Sequence, residues 1–260
     1  MKKLLASSTL ILGLSSFLSP ELHAQEMREL STDRPDKTES AYTVDKGHFQ
    51  AEMDLWNVGF SKDEAGATSR GGNIGLINAK MGLTDASDLQ VILQPLAQEG
   101  SETGFGDTII RFKQNLFGAS GQEPWAFALM PYVKLPTQVA KLGESKTEGG
   151  LIALYASTLA DEIGFGAMLE WDLVANEASG YHHEWVQTVT FSHDIFGELG
   201  GYAELYSMFS SEAGATWSST FDFGFTYGIA QNVQLDAGIN IGLTDAAEDL
   251  NPFLGLSFKI

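Results

Sequence analysis

Apolar and polar residues alternate with a period of two in run after run of this chain. The alternation is regular in residues 49–55, 163–173, 221–229 and 233–243, where aromatic or aliphatic side chains take every second position. Successive side chains of a β-strand point to opposite sides of the sheet, so this period gives one apolar face and one polar face. The pattern predicts an all-β protein whose strands are apolar on one side only.

The length of these runs decides between a soluble β-sandwich and a membrane β-barrel, because both folds carry strands with one apolar face. Several runs reach the length of about 9–11 residues that a membrane-crossing strand requires, against about five or six in an average globular strand. We place about twelve strands, near residues 47–58, 72–83, 88–96, 105–116, 125–135, 149–159, 162–173, 183–192, 198–209, 217–229, 232–243 and 250–260. An even number is typical of bacterial barrels. We therefore predict a transmembrane antiparallel up-and-down β-barrel over residues 47–260.

The connections between these strands alternate between two kinds. One set is short, as at residues 84–87 and 230–231, whereas the other is longer and more acidic, as at residues 59–71 and 136–148. Outer-membrane barrels have short periplasmic turns and long extracellular loops. The alternation places the acidic connections outside the cell.

The first 24 residues differ from the rest of the chain. Lys2 and Lys3 are followed by an apolar stretch over residues 4–18, and Ala24 offers a small residue before a cleavage point. This order of features is typical of a secretory signal peptide and is too short for a membrane-spanning helix. The alternative is a buried N-terminal helix. We predict a signal peptide over residues 1–24, cleaved near Ala24, and a mature protein in the outer membrane of a Gram-negative cell.

Residues 25–46 precede the first predicted strand and mix charges of both signs with few apolar side chains. Such a composition fits a disordered periplasmic tail, and it also fits a short plug whose basic groups meet an acidic wall inside the barrel. Asp33, Arg34 and Pro35 are the candidates for plug residues. Proline fixes φ and favours an extended residue before it, so this stretch is not expected to be helical.

Composition excludes several classes of protein. The chain has no cysteine, which rules out disulfides, thiolate metal sites and cysteine nucleophiles. Its 34 acidic residues against 15 basic ones give a net charge of −19, whereas nucleic-acid binding needs clustered lysine and arginine. No nucleic-acid partner is expected. Lipid is the partner that the apolar strand faces predict, and the oligomeric state stays open.

The polar face of the strands lines the lumen if the barrel closes. By alternation its charged members are Glu52, Asp54, Lys80, Asp107, Arg111, Lys113, Lys134, Glu170, Asp172, Glu204, Asp222, Asp236 and Lys259. Eight acids against five bases predict a negative lumen that favours cations. The alternative is that these charges pair across neighbouring strands and fill a plugged interior. Lys259 would then lie beside Glu52 and Asp54 where the last strand meets the first.

The sequence contains little that indicates an enzyme. The histidines of the mature chain are His48, His182, His183 and His193. The adjacent residues Ser192 and His193 point to opposite faces of a strand, which prevents a nucleophile-to-base hydrogen bond. His182 and His183 likewise lack the same-face spacing of metal ligands. We predict no catalytic site, no metal site and no cofactor, and keep an outer-membrane lipid hydrolase as the remote alternative.

Several short motifs resemble one family of outer-membrane proteins, named for the meta-pathway of phenol degradation and also called transporters. The motifs are Thr32–Asp36, Lys46–Glu52, Gly104–Asp107 leading to Lys113, Lys134–Thr137 and Asn251–Phe258. The resemblance covers nearly the whole mature chain. It implies a porin-like β-barrel that moves small solutes, among them aromatic or hydrophobic compounds, and it favours docking of the segment around Asp33. The alternative is a plugged structural or surface-interaction barrel without transport.

Overall fold

The computed structural model describes residues 27–62, 68–99, 101–139, 146–176 and 180–260. The predicted signal peptide, residues 1–24, lies outside the described residues. Among the described residues, no helix combines the length and the apolar character needed to cross a membrane.

Fifteen β-segments make up the wall in the described part of the chain. They are β1 (Phe49–Lys62), β2 (Thr68–Ile74), β3 (Leu76–Thr84), β4 (Ser87–Leu93), β5 (Leu96–Glu99), β6 (Glu102–Gly104), β7 (Thr108–Phe117), β8 (Trp125–Leu135), β9 (Glu148–Thr158), β10 (Gly164–Ala175), β11 (Tyr181–Phe196), β12 (Leu199–Ser210), β13 (Ser218–Ala230), β14 (Val233–Gly242) and β15 (Leu250–Lys259). Three neighbouring wall strands are each interrupted once, so β2 with β3, β4 with β5, and β6 with β7 count as single strands. The wall therefore has twelve strands, which confirms the predicted number.

The sheet closes on itself through β1 and β15. Each strand pairs antiparallel with its neighbours in the wall, and β1 pairs with β15 from Gln50 opposite Lys259 to Phe60 opposite Leu250. Closure gives each of the long wall strands hydrogen-bonded neighbours on both sides, which is the condition for a β-sheet to stand in lipid. The prediction of an antiparallel up-and-down barrel is confirmed.

The two faces of the wall have opposite chemistry, and the apolar one is outside. Large apolar side chains such as Leu169 and Phe225 are about half exposed, while Gln90, Lys113 and Asp222 are at most 1 % exposed. A water-soluble protein has the reverse arrangement. The period of two in the sequence thus places apolar residues towards lipid and polar residues towards the interior.

Some strands run further than the sequence predicts on the side of the long connections. β1 continues to Lys62, β2 begins at Thr68, four residues before the predicted strand, and β6 with most of β5 lies in a stretch expected to be a loop. These extensions are polar or glycine-rich, as in Thr68–Asn73, because they stand beyond the apolar part of the bilayer and need no lipid-facing side chains. They form hydrogen-bonded ladders without producing the alternation on which the prediction depended.

A candidate functional site in the barrel lumen

The described N-terminal segment, residues 27–48, lies against the inner face of the barrel. Asp33 is placed between two lysines of the wall, with its carboxylate 2.5 Å from Nζ of Lys80 on β3 and 2.9 Å from Nζ of Lys113 on β7. Burial alone would raise the pKa of Asp33, but the two ammonium groups outweigh burial and hold the pKa well below its usual value. Asp33 is therefore a charged link between the segment and two wall strands.

Arg34 makes the opposite link on the other side of the segment. Its guanidinium contacts Asp54 of β1 and lies 2.7 Å from the carboxylate of Asp236 on β14. Gly255 of β15 gives it room, because a Cβ at that position would collide with the guanidinium. Both acids are buried, so the arginine compensates two carboxylates that have left bulk water.

Two wall carboxylates also hold the backbone of the segment. Glu52 on β1 accepts hydrogen bonds from the amides of Asp33 at 3.0 Å and Arg34 at 3.1 Å. Glu204 on β12 accepts the amides of Lys37 at 2.8 Å and Thr38 at 2.7 Å. Hydrogen bonds to charged acceptors are among the stronger ones. The two acids clamp residues 33–38 at both ends.

Further ion pairs surround the clamped residues. Nζ of Lys37 lies 3.1 Å from the carboxylate of Asp222 on β13, and Glu39 pairs with Arg111 on β7. Within the described part of the chain no cation pairs with Asp36, and burial, followed by the nearby charge of Glu204, raises its pKa well above its usual value. Docking of the segment therefore favours the neutral form of Asp36.

The segment leaves the lumen beside β3 and β15. Asp45 pairs with Arg28 at 2.6 Å and with Nζ of Lys259 at 2.9 Å. Burial opposes ionisation of Asp45, but hydrogen bonds from these two cations outweigh it and lower the pKa. Lys259 lies on the strand that pairs with β1, as predicted, but its ion pair is with Asp45 of the segment and not with Glu52 or Asp54.

The remaining lumen candidates lie away from the segment. Lys134 contacts Glu148 and lies 3.7 Å from Asp107. Tyr132 donates a hydrogen bond to Asp172 at 2.5 Å, and Glu170 stands two positions before Asp172 on β10. These groups form a second polar cluster on β8–β10.

The inner face is not polar throughout, which corrects the sequence-based expectation. Four adjacent strands carry a buried apolar patch, here called the inner apolar strip: Ala126, Ala128 and Met130 of β8, Ile152 and Leu154 of β9, Met168 of β10 and Val186 of β11. The sequence pattern did contain a signal. On β8 and β9 both alternating sets are apolar, so these two strands are apolar on the inner face as well as on the outer one.

Cavities remain on both sides of the docked segment. A cavity of about 610 Å³ is lined by Arg28, Tyr42, Gln50 and the turn at residues 120–122. A second, of about 540 Å³, follows the segment along β9–β12, and Tyr42 lines it as well. A third, of about 330 Å³, lies on the other side of Lys37.

Comparisons with known proteins agree with this architecture. A family model described as "Putative MetA-pathway of phenol degradation" matches residues 32–260. The crystal structure of an outer membrane channel from Pseudomonas putida F1 has a TM-score of 0.67 at 13 % identity, covering 84 % of this chain and 97 % of that one. The NanC porin structure has a TM-score of 0.56 at 9 % identity, covering 81 % of this chain and 100 % of that one. These likenesses show a shared barrel fold. No curated protein matches the chain.

Proposed function

The chain belongs to the outer-membrane β-barrel family of the meta-pathway of phenol degradation, and from that premise we propose that it is a channel for passive passage of small solutes. Aromatic or hydrophobic compounds are the solutes that family membership favours. The segment at residues 27–48 acts as a removable plug of this channel. The leader at residues 1–24 is cleaved near Ala24 on export.

The observation that carries this proposal is the way in which the segment is held. Residues 33–39 are bound by ion pairs and hydrogen bonds to wall side chains such as Glu52, Glu204 and Asp222. Water can replace contacts of this kind at small net cost, since each exchanges one hydrogen-bond partner for another. A segment held in this manner can leave while the barrel stays closed.

An acid-biased lumen is the second part of the proposal. The thirteen wall candidates comprise eight acids and five bases, and a low-dielectric wall focuses their field into the lumen. Such a lining attracts cations and resists anions. Neutral solutes pass without this bias.

We favour transport over catalysis for this lumen. Its ionised groups are paired with each other or with the segment, and His182 lies at the extracellular rim between Glu184 and Glu212. The same ionic contacts favour one competing function, a permanently plugged barrel that serves a structural or surface role. The two differ in whether the segment ever leaves.

A reversible disulfide between the segment and the wall distinguishes these two functions experimentally. The hydroxyls of Thr38 and Thr188 are 2.6 Å apart, so the pair T38C and T188C places two sulfurs within reach of a disulfide. The chain has no other cysteine. We expect the oxidised variant to carry no current in planar bilayers and the reduced variant to conduct, while reductant leaves the parent protein unchanged. A current that ignores reduction contradicts the plug, and no current in either state contradicts the channel.

A further inference from the structure

The inner apolar strip is unusual for a water-filled lumen. Ala128, Leu154 and Met168 are direct neighbours across β8, β9 and β10, and Met130, Ile152 and Leu154 are at most 1 % exposed. Elsewhere the inner wall carries buried polar side chains, among them Gln90, Asn78 and Ser257. A contiguous apolar surface on one side of an otherwise polar lumen is a candidate surface for binding an apolar ligand.

The plug segment covers this strip in the structure, and it does so with apolar and aromatic groups. Ala41 is fully buried within the same cluster, and the ring of Tyr42 packs against it. Asn115 of β7 holds this part of the segment by a hydrogen bond to the carbonyl of Ala41 at 2.9 Å. The strip is thus covered by Ala41 together with the ring of Tyr42, an aromatic group that carries a single hydroxyl.

We infer that the inner apolar strip is a binding site for a compact aromatic solute bearing one polar group, and that Ala41 and Tyr42 occupy this site when the plug is docked. The inference rests on the proposed channel function and names the surface along which its solute moves. Methionines at 130 and 168 suit such a ligand because their flexible thioethers adapt to rings of different shape.

The surroundings of the strip supply the polar part of the site. Tyr132 and Tyr206 pack at its borders. Glu170 of β10 lies directly between Ile152 of β9 and Val186 of β11, its partners in the two neighbouring strands. A hydroxyl on the solute finds acceptors there while its ring stays on the apolar wall. The 540 Å³ cavity borders the strip through Tyr42 and Ala156, which pack against it, while the plug covers the strip residues themselves. Its volume is that of an ordinary small-molecule pocket, about 300–1,000 Å³.

Binding of 4-fluorophenol, followed by fluorine NMR on the purified full-length protein in detergent, tests this inference. Y42A removes the competing ring, so we expect its dissociation constant for the probe to fall at least about fivefold below that of the parent. Y42F keeps the ring and should match the parent. An unchanged affinity in Y42A overturns the inference.

Substitutions in the strip identify where the probe binds. In the Y42A background, M168Q should cancel the gain in affinity, whereas M81Q makes the same change on the exposed outer face of β3 and should leave the gain intact. V186T repeats the test with a side chain of equal shape. A gain that survives both strip substitutions overturns the inference, with the heat-dependent gel shift reporting that each barrel is folded. The NMR measurement needs no current, so its failure is distinct from failure of the channel.

Discussion

Asp33 and Arg34 are adjacent in the chain and contact opposite sides of the lumen. In an extended chain neighbouring side chains point apart, and here one reaches Lys80 and Lys113 while the other reaches Asp54 and Asp236. The wall is thus divided into a basic part and an acidic part that match the segment in order. This complementarity explains how the segment and the wall compensate the charges of Asp33, Arg34, Lys80, Lys113, Asp54 and Asp236 inside the barrel.

Alternation in the sequence was sufficient to place the charged residues on the polar phase of their strands, but it could not supply their partners. Arg34 and Asp236 are separated by 202 positions, and their contact depends on the stagger between strands once the barrel has closed. The same limitation explains the wrong partner for Lys259. Asp45 was part of a segment for which a disordered tail was an equally good prediction.

Asp36 makes docking of the plug depend on pH. It faces Glu204 on β12, Thr190 on β11 and Asp33 of its own segment, and its pKa is raised in the docked state. Docking therefore takes up a proton, and it weakens as pH rises from the ordinary carboxyl value of about 4 through the raised pKa. Asp33 and Asp45 have lowered pKa values, so their contribution is complete above about pH 4 and does not oppose this trend.

We expect the open probability of single channels to increase as the pH is raised above the ordinary carboxyl pKa of about 4. D36N should remove most of this increase and keep the plug docked, because a neutral amide does not repel Glu204. D85N changes an exposed carboxylate in a periplasmic turn and serves as the matched control. An open probability that falls with pH, or one that rises equally in D36N, would contradict the role of Asp36.

At the scale of elements, the wall strands were predictable because lipid imposes a rule on every second residue. Strands such as β8, Trp125–Leu135, and β12, Leu199–Ser210, lie within one residue of their predicted bounds. The interruptions at Gly75, at Gln94 and Pro95, and before Thr108 were not predicted. They depend on backbone geometry, such as the positive φ of Gly75, which leaves no trace in hydrophobic alternation.

Close packing between β15 and the segment gives a prediction for one glycine. A Cβ at Gly255 would overlap the guanidinium of Arg34, so G255A should push Arg34 away from Asp54 and Asp236. Overpacking of this kind costs about 1–3 kcal/mol, which corresponds to a change of about fivefold to about 150-fold in the docking equilibrium.

The expected result is a higher open probability for G255A in planar bilayers, with an unchanged heat-dependent gel shift. G71A is its matched control, because a Cβ at Gly71 would meet its nearest neighbour at an ordinary 3.6 Å. An open probability equal to that of the parent would show that Arg34 is not needed to keep the plug docked.

At the scale of the whole molecule, the period-two alternation that predicted the barrel could not predict the apolar part of its inner face. Period-two alternation indicates which side of a strand faces lipid, but it does not separate polar from apolar patches on the other side. The inner apolar strip belongs to that other side. The strip is formed when the four successive strands β8 to β11 stand side by side, and it is covered by Ala41 of a segment that is distant from them in sequence.

The charge of the whole lumen gives a final prediction, on ion selectivity. In asymmetric salt the reversal potential of the parent should show a preference for cations, because acids outnumber bases on the inner wall. D222N with D236N removes two lumen charges and should reduce that preference.

These two acids also bind Lys37 and Arg34, so the variant will open more often. The reversal potential does not depend on the number of open channels. D85N with E198Q removes two exposed charges in short turns between strands and should leave it unchanged. Anion preference in the parent would contradict the acid-biased lumen outright.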